Sequence, residues 1–250
     1  MFTRVKNADE IENLRKSGRI LAEILQGVRE IAKPGVSGLD VDAFVASEAE
    51  GVNAKCAFKG YNGFPGNICI SANDEVVHSI PNDRPFEKGD VVKFDFGINY
   101  DGMITDSAFT MVIGESPTGD KKKLLESTEA ALYRGLEEIQ AGARVGDIGA
   151  AVQEALKGTG LGIVRDLVGH GVGHNVHEEP DIPNQGKAGH GPELKKHMSL
   201  AIEPIITLGD YNIKVDDDGW TIRTVDGSLA AQFEHTILVL EDGCEILTKL

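Results

Sequence analysis

Four carboxylates stand where a strand would ordinarily carry an apolar side chain: Asp95 in VVKFDFGI, Asp106 in MITDSAFTMVI, Glu203 in LAIEPII and Glu234 in AAQFEHTILVL. Asp and Glu are depleted in strands, and an ionised carboxylate withdrawn from water is costly unless a partner compensates it. Any one of them could point to solvent, but the flanks are too apolar on both faces for that reading to serve the whole set. Asp101-Gly102 is the strongest short turn signal in the chain. A two-residue hairpin there pairs Tyr100 with Met103, and counting back pairs Gly97 with Asp106 and Asp95 with Ala108. Asp95 and Asp106 then share a face as diagonal neighbours, ~7 Å apart at Cβ. Two carboxylates that close on a buried face need a cation or a shared proton. The glycine opposite Asp106 is expected to leave room for a bound group.

An imidazole joins them in GHGVGHNVHEEP, where glycines on both sides of His170 let the backbone approach closely and His177 follows seven residues later. An oxygen-rich set with one imidazole suits Mn²⁺, Fe²⁺, Co²⁺ or Zn²⁺. Four carboxylates exceed the needs of one such ion with an open position; they suit two ions about 3.5 Å apart.

The elements that must hold these residues can be read from the hydrophobic spacing. Asn7 followed by Glu10 is a capping-box pattern, and apolar residues at helical spacing extend a helix over 8–32, stopped by Lys33-Pro34-Gly35. Asp40 opens a second helix to about Glu50. Strands are expected at 67–72, 75–79, 90–99 and 103–113, then a helix at 120–140 and a short one from Asp147 to about Lys157. Further strands are expected near 163–168, 198–207, 221–225 and 230–240. The pattern repeats. PGVSGLDVDAFV (34–45) overlays AGARVGDIGAAV (141–152), VHSIP (77–81) overlays VHEEP (176–180), and VKFDF (92–96) overlays LAIEP (200–204). These matches align Gly35 with Gly142, Asp40 with Asp147, His78 with His177 and Asp95 with Glu203. Three matches in order imply one α/β domain over 1–250 made of two pseudosymmetric halves, about 1–115 and 116–250.

With 40 acidic against 25 basic residues the formal net charge is −15, which argues against gripping nucleic acid or an anionic membrane. Cys56, Cys69 and Cys244 are too few and too scattered for a disulfide framework, so a reducing, cytoplasmic setting is expected. The opening MFTRVKNADEIENLRKSG has no apolar core of a signal peptide, and no 18-residue apolar run follows it.

The ordered set Asp95, Asp106, His170 in GHGVGH, Glu203 in IEP and Glu234 in QFEHT resembles the pita-bread metallopeptidases, and among them the type I methionine aminopeptidases. GYNGFPGNICISANDEVVHSIP and DGWTIRT carry the likeness further, and the insertion of the type II enzymes between His177 and Glu203 is absent. The resemblance implies an α+β fold with a central curved antiparallel sheet and helices outside. It implies that Asp106 and Glu234 bridge two divalent ions, Asp95 completes one site, and His170 and Glu203 complete the other. It also implies substrate contacts at His78 and His177 and proton transfer by Glu203, in a hydrolysis where metal-activated water attacks the scissile carbonyl.

By the same resemblance Phe58, Tyr61, Phe64, Cys69 and Trp220 form the methionine cup, although core packing would equally explain the lone tryptophan. Phe58 stands where a cysteine is common and Val176 where an aromatic is common. Asn73 and nearby carbonyls are expected to hold one monovalent cation. The implied activity is removal of initiator methionine from nascent N-termini, at the ribosome, when the second residue is small; on that rule Phe2 predicts retention of Met1. The chain is expected to be a monomer. Two rivals are an Xaa-Pro aminopeptidase, whose usual N-terminal domain finds no room here, and a pita-bread module without catalysis.

Overall fold

The computed structural model describes residues 5–250. Met1 and Phe2, on which the expectation of a retained initiator rests, lie outside the described residues. Asn7 and Glu10 close the expected capping box, each side chain accepting from the other's amide, and helix α1 (Ala8–Ile31) runs from it. Ser37 and Asp40 close a second box, so α2 (Gly38–Gly51) starts two residues before Asp40. After β1 (Lys55–Cys56) and a 3₁₀ turn at Tyr61–Gly63 come β2 (Cys69–Ala72), β3 (Glu75–Val77), β4 (Val91–Tyr100) and β5 (Met103–Val112). The second half opens with α3 (Gly119–Glu137) and α4 (Val145–Ala155), followed by β6 (Gly162–Ile163), β7 (Val168–Gly171) and β8 (Glu178–Pro183). It ends with β9 (Ser199–Ile202), β10 (Ile205–Thr207), β11 (Ile213–Val215), β12 (Ile222–Thr224), β13 (Ala230–Gln232), β14 (His235–Val239) and β15 (Cys244–Ile246).

The β4–β5 hairpin has the expected register, with Tyr100 opposite Met103, Gly97 opposite Asp106 and Asp95 opposite Ala108. Asp101 and Gly102 have φ of 51° and 82°, as a type I′ turn requires. The two halves also repeat in their bonding. Gly35 donates to the Phe86 carbonyl and Phe86 to that of Val36; Gly142 donates to Leu194 and Leu194 to Ala143. Asp147 accepts from the Arg144 amide as Asp40 accepts from that of Ser37.

Among the described residues all strand pairings are antiparallel, and the strands divide into four ladders: β1-β4-β2 with β5 on β4, β13-β10-β6, β11-β12-β3, and β15-β14-β9-β7-β8. The division departs from the expected long strands at 198–207 and 230–240. The first breaks at Glu203-Pro204, separating β9 from β10, and the second at Phe233-Glu234, separating β13 from β14. The two breaks face each other, because β9 pairs with β14 and β10 with β13. Pro204 has no N–H to continue a ladder, which explains the first break. The strand expected near 163–168 is also replaced, by short β6 and by β7, which carries His170. Helix α1 packs across β4 and β5, α3 against α4 and β13, and α4 against β8. One core joins them, with Leu21, Val28, Phe94, Phe96, Leu132 and Val152 among its most deeply buried members. No helix among the described residues is long and apolar enough to cross a membrane.

Candidate metal centre

The strand breaks and the hairpin aim their carboxylates into one place. Asp95 on β4, Asp106 on β5, His170 on β7, and Glu203 and Glu234 at the two breaks all line a single cavity of about 180 Å³. Asp106, His170 and Glu234 each offer a ligand atom, and these atoms lie within 4.8 Å of one another. His170 Nε2 is 3.5 Å from Glu203 Oε1. His170 Nδ1 lies 2.9 Å from the Gly171 carbonyl, which can only accept, so Nδ1 carries the proton and the Nε2 lone pair faces the carboxylates.

Side-chain bonds and a single backbone bond, rather than a ladder, tie β5 to the segment from Gln232 to Glu234. The Ser107 hydroxyl donates to the Glu234 carbonyl at 2.7 Å, and the Glu234 amide to that of Ala108 at 2.8 Å. Thr110 and Gln232 are joined in the same way, through the Thr110 hydroxyl. Gln232 escaped the sequence reading although it stands in QFEHT. Its Nε2 donates to Glu203 Oε2 at 3.2 Å and reaches Asp95 Oδ2 at 3.5 Å, thereby orienting both.

The electrostatics of this cluster suit a cation. Asp95, Asp106 and Glu234 are at most 8% exposed, and Asp95 Oδ1, Asp106 Oδ1 and Glu234 Oε1 have no hydrogen-bond partner among the described residues. Burial raises all four carboxylates above the usual range, and the neighbouring charges push Asp106, Glu203 and Glu234 further. Burial lowers His170 to about 3, keeping the ring neutral as a ligand must be. Divalent ions would neutralise the charge and occupy the orphaned oxygens, so the donor set fits a metal.

His78 and His177 line the same cavity. His78 has φ of 59°, a left-handed backbone uncommon outside glycine and found where surrounding structure fixes a side chain's aim. Burial, with His177 nearby, lowers His78 to about 4. His177 Nδ1 is 3.0 Å from the Tyr61 hydroxyl, and its ring sits 4.3 Å from that of His170. The residues expected to form the cup also come together. Phe58, Tyr61, Phe64, Cys69, Val176 and Trp220 line the cavity beside the carboxylates, with Phe64 and Trp220 edge to face at 5.1 Å. Burial and the charges of Asp95, Asp106 and Glu234 push the Cys69 thiol well up, so it is a packing group rather than a nucleophile.

Two expectations need correction. The space above Gly97 is not left for a ligand: a Cβ there would meet Phe58 Cε1 at 2.7 Å and Ala57 Cβ at 3.2 Å, so the glycine admits the Phe58 ring. The Asn73 turn does not fit a monovalent cation, because its carbonyl already accepts from Lys93 Nζ at 2.9 Å and from the Ala230 amide at 3.1 Å.

The model of metallopeptidase family M24 matches residues 12–241. The methionine aminopeptidase of Clostridium acetobutylicum is 42% identical over 245 residues, covering 98% of each chain. The crystal structure of methionine aminopeptidase from Thermotoga maritima superposes with a TM-score of 0.96 at 43% identity, covering 100% of both chains. Prolidase from Pyrococcus furiosus, 24% identical with a TM-score of 0.77, shares the fold, but only 65% of its length is covered. These likenesses show the pita-bread α+β fold expected from the sequence.

Proposed function

Because this chain belongs to metallopeptidase family M24, we propose that it is a methionine aminopeptidase, removing the initiator methionine from nascent chains when the next residue is small. The observation that carries this reading is the convergence of four carboxylates and one neutral imidazole beside an apolar cup, in a chain alike over its whole length to methionine aminopeptidases. Divalent metal is the family's cofactor. In our assignment Asp106 and Glu234 would serve both of two divalent ions, Asp95 would serve one, and His170 and Glu203 the other; Mn²⁺, Fe²⁺, Co²⁺ and Zn²⁺ all suit the donors. Bound there, the ions supply an activated water and polarise the scissile carbonyl.

The chain's own residues do the rest. The apolar cup of Phe58, Phe64, Cys69 and Trp220 takes the methionine side chain and excludes water. The surrounding carboxylates hold the substrate's free α-ammonium, which favours an exopeptidase over an endopeptidase. Glu203 accepts a proton on its carboxylate and delivers it to the departing amine. His78 and His177 donate toward the oxygen of the tetrahedral intermediate. The Tyr61–His177 pair forms the rim that the second residue must pass, limiting its size. We assign the whole of 1–250 to one catalytic unit of two halves, about 1–115 and 116–250, acting as a monomer in the cytoplasm on chains emerging from the ribosome.

The test is turnover of Met-Ala-Ser against Ala-Pro peptides across a metal series. Metal-dependent cleavage confined to Met-Ala-Ser is expected; preference for Ala-Pro would replace this reading with the prolidase one.

A further inference from the structure

Lys93 is among the largest fully buried side chains, 1% exposed, and the proposed chemistry gives it no part. It stands on the same face of β4 as Asp95, two residues before it. Its Nζ donates to the Asn73 carbonyl, which the Ala230 amide also reaches, so both carbonyl lone pairs are used. The rest of Asn73 is engaged as well: its amide donates to the Val91 carbonyl at 2.7 Å, its Oδ1 accepts from the Val91 amide at 3.0 Å, and its Nδ2 donates to Asp90 Oδ1 at 2.9 Å. Burial lowers the Lys93 ammonium to about 7 against the negative charges of Glu75, Asp74 and Asp90, and Arg223, paired with Asp74, Glu75 and Asp216, is a cation nearby that lowers it as well.

We propose that the Lys93 side-chain nitrogen occupies the place of a monovalent cation at the Asn73 turn, so that the protein fills that place with its own side chain and is indifferent to Na⁺ and K⁺. A free ion must be recruited from solution and leaves when diluted. A tethered nitrogen is present at high effective concentration and cannot diffuse away. It ties β4, the turn before β3 and the start of β13 together, and β4 and the segment after β13 carry Asp95 and Glu234. This inference goes beyond the peptidase reading and does not depend on the substrate.

The experiment compares thermal melting of the metal-loaded, full-length protein in sodium, potassium and choline chloride at equal ionic strength. The unmodified protein is expected to melt within about 1 °C in all three, a shift well under that of 1 kcal/mol. Lys93→Ser, which removes the nitrogen and opens space for an ion, should melt lower in choline chloride and recover several degrees in sodium or potassium chloride. Lys93→Met removes the nitrogen but keeps the space filled, and should melt lower in all three salts without recovery. A higher melting temperature of the unmodified protein in sodium or potassium than in choline overturns the proposal, and that comparison needs no variant. So does a folded Lys93→Ser protein that responds alike to all three salts.

Discussion

Asp106 and Thr236 exchange two hydrogen bonds across the halves: the Asp106 amide donates to Thr236 Oγ1 at 2.8 Å, and that hydroxyl donates to the Asp106 carbonyl at 2.7 Å. One side chain thus does the work of a rung in a β-ladder. Thr236→Val keeps the shape and leaves both Asp106 backbone groups buried without partners. A loss of about 2 kcal/mol in stability is expected, with weaker metal retention, checked by denaturant unfolding and metal analysis.

Chelation should abolish turnover and lower the melting temperature together, since bound ions stabilise by about 2.7 kcal/mol at a hundredfold excess over their dissociation constant. Full activity of a sample free of metal would overturn the proposed function.

In the chelated protein the carboxylates should also contribute to the pH dependence of stability with inverted sign. Burial raises Asp95 to about 7, with Asp106, Glu203 and Glu234 raised as well. The folded chain therefore holds protons that the unfolded chain releases above the usual carboxylate range near 4. The carboxylates thus contribute stability that is greatest below that range and falls as pH rises toward 7, while the buried imidazoles of His78, His170 and His235, held well below their usual value, contribute stability that rises over the same interval. Removing one carboxylate isolates its part: between pH 5 and 7 the melting temperature of metal-free Asp106→Asn should change in a more positive direction than that of the unmodified metal-free protein, and an equal or more negative change would contradict this.

His78→Ala and His177→Ala should each cut turnover by ~10²-fold or more while metal content stays near that of the unmodified protein, as for donors to a developing oxyanion. Asp106→Ala should remove metal and activity together. If His177→Ala strips the metal, the ligand assignment fails.

Phe58 and Val176 belong to one apolar cluster, and Phe58 covers Gly97. Phe58→Cys should enlarge the cup and weaken discrimination of methionine from shorter side chains; Val176→Phe should crowd it and raise KM. The double variant should recover much of the loss, with a coupling of about 1 kcal/mol, read from kcat/KM across the four proteins. Additive effects would mean that the two residues do not share a wall.

How much of this was legible beforehand depended on how local its cause was. The Asp101-Gly102 turn sets its register within a few residues, so the placing of Asp95 against Asp106 could be counted by hand. The breaks at Glu203 and Glu234 could not. Each lies inside an apolar run that reads as one strand; Pro204 alone marks the first, and the second follows only from that facing break on the partner strand. Gln232 and Lys93 were missed for a related reason: a polar residue in an apolar strand announces that it has a partner, but not which one. Gly97 misled because an absent side chain signals space without naming what fills it, here Phe58.

The opposed breaks bear on how the protein is made. Asp95 and Asp106 meet as soon as one hairpin closes, but Glu234 is held by Ser107 and Ala108, which precede it by more than a hundred residues. The early hairpin alone thus offers a growing chain only two of the five assigned ligands. Metal capture then comes late in synthesis, and a truncated product stays inert toward the nascent chains around it.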